Sequence, residues 1–359
     1  MIESNSGLFA RLSGAGGDAI TADLRAQRRA VRTSDDEKGW LQRVTFTTPS
    51  HLRLDATSRF ALAQFADDLY LVAIAVDIEE PPTELERISL NAGLFTAIVS
   101  DLNVPILRSP DFAERLLEYV FYPVDQGCEL IDMEIVVPFF QRIEVFRIDP
   151  SSAIASDDEL GVRAAIAAVL RSPVLRPLDW STEALDRFAF MVRDPAERAP
   201  FHLLLRALTE SRDDAAFLAL YRCIEQLFPI PAMGLLSTEL GLSQPALEVA
   251  AVLERHLGWR RREEDAIANL FADLEDHLID RLFVVVGAAA QDQGRFRPVS
   301  KRIYELRNHC VHFRPAQALG EPTVVGDWAS LTALMLEAVQ ALYAHYKAAF
   351  DPSATAPAT

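Results

Sequence analysis

The chain is poor in lysine, with only Lys38, Lys301 and Lys347 among 35 basic residues of 359. Chemistry that requires a lysine therefore has three candidates, and none of them lies in a glycine-rich phosphate loop. Cysteine is as scarce: Cys128, Cys223 and Cys310 are odd in number and widely separated. Neither a disulfide framework nor a CxxC metal knuckle can be drawn from them, which fits a reducing compartment. Long apolar runs are missing too. The longest, Leu69 to Val76 and Leu282 to Ala290, are far short of the ~20 residues that span a bilayer. The first residues, MIESNSGLFARLSGAGG, lack a basic stretch followed by an apolar core. The expectation is a soluble cytoplasmic protein with no membrane partner. Positive charge is also in deficit, at a formal net of -17. That excludes coating nucleic acid by bulk attraction, because phosphate is drawn to a basic surface.

What is present is enough apolar content, 50% of residues, to pack about two domains. Three runs read as strands: Leu41 to Thr47, Leu69 to Asp77 and Glu134 to Ile148. Between them, Phe60 to Asp68 and Phe112 to Phe121 read as helices. Residues 1–155 are thus expected to form an α+β domain. From Ser156 onward the pattern is helical, with starts at Ser156 and Ser181. The helices drawn are 158–170, 181–193, 201–210, 213–228, 245–257, 263–287, 298–314 and 327–349. Residues 156–204 read as a helical connector and 205–350 as an all-α helical bundle. Pro229 to Ser243 reads as a loop, and 351–359 as a disordered small-residue tail. Gly14-Ala15-Gly16-Gly17 follows no strand and reads as a flexible loop.

One segment stands out against the acidic background. Between residues 295 and 314, six basic residues (Arg295, Arg297, Lys301, Arg302, Arg307, Arg314) face the single acid Glu305. Wound as a helix, Val299, Ile303, Leu306, Cys310 and Phe313 share an inward face. Tyr304, Arg307, Asn308, Val311 and His312 lie together on its flank and back. A permanent cation, an amide and an imidazole grouped beside apolar side chains suggest a surface partly buried against another body, such as a second copy of the same helix.

The spacing Arg307-Asn308-x-x-x-His312, late in a helical domain and after the helix Leu220-Tyr-Arg-Cys-Ile-Glu-Gln-Leu-Phe228, resembles the R-polar-x(3)-H signature of HEPN-domain ribonucleases. The likeness spans about residues 205–350 and is nearest to the ApeA-like branch of toxin and antiphage defence effectors. It implies a homodimer whose paired motif helices compose one metal-independent RNA-cleaving site, with Arg307, Asn308 and His312 catalytic. It also implies RNA, a second copy, and a regulatory protein or antitoxin as partners, and no cofactor. Glu225 and Tyr304 would support the site. Lys301, Arg302, Arg314 and the run Arg260-Arg261 would grip RNA, with Trp259 stacking a base. The residue types suit the chemistry. Attack of a 2′-hydroxyl on the adjacent phosphate needs a proton carrier near neutrality, which imidazole is, and a forked cation against the charge that gathers on phosphorus.

Other readings stay open at this point. Arg302 with His309 is a rival pair, and Glu225 could simply pair with Arg222. His309, Cys310 and His312 diverge around a helix axis, which argues against zinc. The helical domain could also bind RNA, a nucleotide or a protein without cutting, or serve only for dimerisation. Residues 1–155 are expected to act as a sensor or regulator.

Overall fold

The computed structural model describes residues 2–122, 128–156, 159–242, 244–258, 262–288, 295–311 and 325–350. It divides into two compact units, 1–172 and 173–359. The first is mixed α and β, and among the described residues of the second there is only helix. Among its described residues the first unit has seven strands: β1 Arg28–Val31, β2 Thr45–Thr47, β3 Arg59–Phe65, β4 Asp68–Ile74, β5 Leu85–Ile88, β6 Cys128–Ile131 and β7 Ile143–Ile148. Five form an antiparallel sheet in the order β2-β3-β4-β7-β5, while β1 and β6 pair in parallel. The helices are α1 Ile2–Gly16, α2 Ala22–Ala26, α3 Asp35–Arg43, α4 Ala92–Asp101, α5 Phe112–Tyr119, α6 Met133–Val136 and α7 Leu160–Leu170.

The core of this unit joins Leu8 and Leu12 of α1 and Leu94, Phe95 and Ile98 of α4 to Ala61, Ala63, Val72 and Val145 of the sheet. The opposite face of β3 meets α7, where a Cβ on Gly161 would come within 2.6 Å of Leu62. That burial on two faces explains why Phe60 to Phe65 is strand and not the helix its alanines suggest: burial against both layers overrides local propensity. The hairpin from β3 to β4 turns through Ala66, held at φ +55°.

Three further boundaries differ from expectation. Leu41 to Arg43 close α3, which a Ser34–Glu37 capping box starts, and only Thr45–Thr47 is strand. Glu134 to Val136 belong to α6, and β7 begins at Ile143. Gly14 and Gly16 end α1, with Gly17 beyond at φ +58°. A start without proline and an end rich in glycine hid this helix from its sequence.

The second unit contains α8 Thr182–Arg193, α9 Phe201–Thr209, α10 Asp213–Glu225, α11 Ile230–Leu240, α12 Ala246–Leu257, α13 Glu263–Phe271, α14 Asp276–Val285, α15 Phe296–Val311 and α16 Trp328–His345. The stretch expected as a connector is therefore divided, with α7 in the first unit and α8 and α9 in the second. Phe217, Leu220, Tyr221 and Ile224 of α10 are buried with Leu334, Ala338 and Leu342 of α16, as their spacing requires. The Tyr343 hydroxyl donates to the Cys223 carbonyl at 2.9 Å, and Glu337 of α16 ties Arg187 at 3.2 Å and Arg281 at 3.0 Å.

Two expectations fail in this unit. Pro229 to Leu240 is not a loop: Pro229 and Pro231 stand at the start of α11, where proline costs no hydrogen bond, and Gly241 closes it at φ +63°. The span 263–287 is two helices, because residues 272–275 leave the helix without a glycine or proline to announce it. Among the described residues, no helix is long and apolar enough to cross a membrane.

Candidate active site

The motif helix α15 has Pro298 in its first turn, and it buries Val299, Ile303 and Leu306 as its periodicity demands. Those anchors set its rotation. Arg307, the next residue after Leu306, is carried to the seam where α10 and α13 also pack. Its side chain is only 18% exposed. Nη2 donates to Glu225 Oε1 of α10 at 3.2 Å, and the same nitrogen stands 3.6 Å from Glu263 Oε2, at the first residue of α13. Nη1 donates to Asn308 Oδ1 at 3.0 Å. Beneath the group, the Tyr221 ring lies with its centroid 5.9 Å from the guanidinium carbon.

The electrostatics follow from this crowding. Burial pushes the Glu225 carboxyl above its ordinary range and Glu263 adds to the rise, while Arg307 opposes it. The Tyr221 hydroxyl is raised as well, by burial first and then by Glu225 and Glu263. Among the described residues that hydroxyl has no hydrogen-bond partner, and Glu263 Oε2 is a second buried atom in that condition. The Cys310 thiol is pushed up to about 11 by burial, with Asp214 contributing. It is a poor nucleophile at neutral pH.

The remaining sequence candidates divide into three groups. Asn308 and Tyr304 are half-buried on the same helix as Arg307, and Val311 is 47% exposed. Lys301 and His309 are exposed, and Arg302 is engaged by its own protein, donating to the Val286 carbonyl at 3.4 Å and to Glu305 at 3.3 Å. His312, Arg314, Arg260, Arg261 and Trp259 lie outside the described residues, as does Phe313. Glu225 meets Arg307 and not Arg222 through a hydrogen bond. Glu263 and the underside of Tyr221 were not apparent from sequence. The run Glu263-Glu264-Asp265 reads as the acid-rich first turn that any helix favours, and Tyr221 reads as one more core aromatic.

No family model, curated protein or solved structure matches the chain.

Proposed function

We propose that the chain is a metal-independent endoribonuclease of HEPN type, acting as a homodimer and serving as a toxin or defence effector. The observation that carries this reading is the setting of Arg307. An arginine at the first position of an R-polar-x(3)-H spacing is drawn out of bulk water and oriented by Glu225 and Asn308. Orientation by a carboxylate and an amide is what a charge-stabilising group needs, since a preorganised donor spends little on reorganisation as charge develops. In the proposed reaction the ribose 2′-oxygen attacks the adjacent phosphorus and the 5′-oxygen leaves. His312 accepts the 2′-hydroxyl proton, and a protonated imidazole, its own or the second copy's, supplies one to the leaving oxygen. Products are a 2′,3′-cyclic phosphate and a 5′-hydroxyl end. Arg307 faces the extra negative charge on the phosphoryl oxygens.

A second copy suits the partly exposed arc of α15. Tyr304, Asn308 and Val311 offer an amide flanked by apolar surface, a composition that a two-fold axis through the helix would cover. The deciding assay incubates purified protein with total RNA in excess chelator. Cleavage should persist with chelator, fall by at least about a hundredfold in Arg307→Ala and in His312→Ala, the scale of losing a positioned acid–base or charge-stabilising group, and survive in His309→Ala. Loss at His309 with retention at His312 would move the role to Arg302 and His309. A second reading, a helical module that binds without cutting, draws on the two carboxylates already occupying Arg307; it predicts RNA binding with no cleavage in any of these arms.

A further inference from the structure

Arg307 meets more negative charge than it can balance. With both carboxylates ionised, Glu225 and Glu263 approach Arg307 through the same nitrogen, and among the described residues the only other cation acting on Glu225 is Arg222, the weakest of the influences on it. An arginine so neutralised has little attraction left for a phosphate. The two acids are not equivalent, however. Glu225 holds a hydrogen bond at 3.2 Å, while Glu263 at 3.6 Å holds an ion contact and no hydrogen bond. Glu225 is the less exposed of the pair, at 28% against 39%. Glu263 heads its helix, so its backbone need not move for the side chain to turn outward. Beside them the buried Tyr221 hydroxyl has no partner among the described residues, so the polar groups around Arg307 are incompletely matched there.

We propose that Glu263 stands in for phosphate: its carboxylate occupies the side of Arg307 Nη2 that a backbone phosphate oxygen takes, and RNA binding exchanges one for the other while Glu225 keeps the guanidinium in place. The inference rests on reading Arg307 as the phosphate-facing arginine. It assigns Glu225 and Glu263 opposite roles, one positioning the cation and the other competing for it. An oxyanion of similar size and charge is the natural competitor, because a carboxylate and a phosphate edge present the same forked acceptor to a guanidinium. Free arginine surface is thus offered only to a ligand that out-competes Glu263, which favours multiply anchored polyanions over single anions.

The test measures inorganic phosphate affinity of the full chain at fixed ionic strength by calorimetry, beside RNA cleavage in chelator. Glu263→Gln should tighten phosphate binding about fivefold, the upper end of what one partly exposed ion pair contributes. Glu263→Asp, with a shorter reach, should fall between, and Arg307→Ala should abolish the response. Glu225→Gln should weaken phosphate binding. If Glu263→Gln weakens phosphate binding and Glu263→Asp restores it, Glu263 merely orients Arg307 and the proposal is overturned; unchanged affinity in a normally folded Glu263→Gln overturns it equally. The two readings separate cleanly. Tighter phosphate binding without RNA cleavage in any variant keeps the exchange and removes the ribonuclease. Arg307-dependent cleavage with no gain in Glu263→Gln does the reverse.

Discussion

The guanidinium of Arg307 gathers Glu225, Glu263, Asn308 and the Tyr221 ring from three helices, and for Glu225 and Tyr221 burial outweighs pairing. Glu225 shows this. Its carboxyl is raised by loss of water and by Glu263, against the pull of Arg307. A raised carboxyl binds its proton more tightly folded than unfolded. Its contribution to stability is therefore fully present below the ordinary glutamate range, about 4.3, and is lost as pH rises through the raised folded value. Glu225→Gln cannot titrate. Wild type should compare best with that variant in acid and lose ground toward neutrality, as thermal melts of the helical unit across the weakly acidic range would register. A wild-type advantage that instead grows with pH would mean that the Arg307 pair outweighs burial. Stability and the site pull in opposite directions here, since the charged form that orients Arg307 is the one burial disfavours.

At the scale of elements, close approach accounts for features that charge and periodicity do not. Glu37 closes its own capping box on Ser34, and its other oxygen accepts the Ala92 amide at 3.1 Å, so one carboxylate serves the starts of both α3 and α4. The helices come close enough that a Cβ on Gly93 would lie 1.9 Å from the Glu37 carbonyl oxygen. Gly93→Ala should therefore cost roughly 1–3 kcal/mol or more, the range for forcing atoms into a filled space, and lower the denaturant midpoint of the first unit. Gly14→Ala, in a helix with nothing within 4 Å of the new methyl, should be neutral or slightly stabilising. Equal behaviour of the two would argue that α3 does not rest on α4. This pair also marks the limit of what the sequence discloses. Helices with one apolar stripe, such as α10 and α16, and the inward face of α15 are legible from spacing, because 3.6-residue periodicity is the imprint of one-sided burial. β3 is not, since a strand covered on both faces has no alternation to read. Nor is the break between α13 and α14, where no glycine or proline appears. At the site, Arg307 and Glu225 could be read from a motif and its neighbouring helix, whereas Glu263 depends on the packing of α13 against α15, a contact between residues 44 positions apart that no local pattern encodes.

For the whole molecule, charge divides unevenly. Residues 1–150 carry 24 acids against 14 basic residues, while the segment around Arg307 is locally basic. On the proposed ribonuclease reading a free site endangers the cell that makes it, and a domain of different construction on the same chain is one means of restraint. The mixed sheet-and-helix build of the first unit, beside a second unit whose described residues are all helical, suits a recognition module joined to an effector. Acidity adds a physical means, because negative potential lowers the local concentration of a polyanion and slows its encounter with a basic segment, an effect that salt weakens. The expectation is that residues 173–359 alone, once shown by circular dichroism to be folded, cleave bulk RNA faster and are more toxic on expression than the full chain. The difference should narrow as ionic strength rises if repulsion is the cause, and stay constant if the first unit acts by holding the second in an inactive state. A folded fragment no more active or toxic than the full chain would remove the regulatory role, leaving the acidity of the first unit as a contribution to solubility alone.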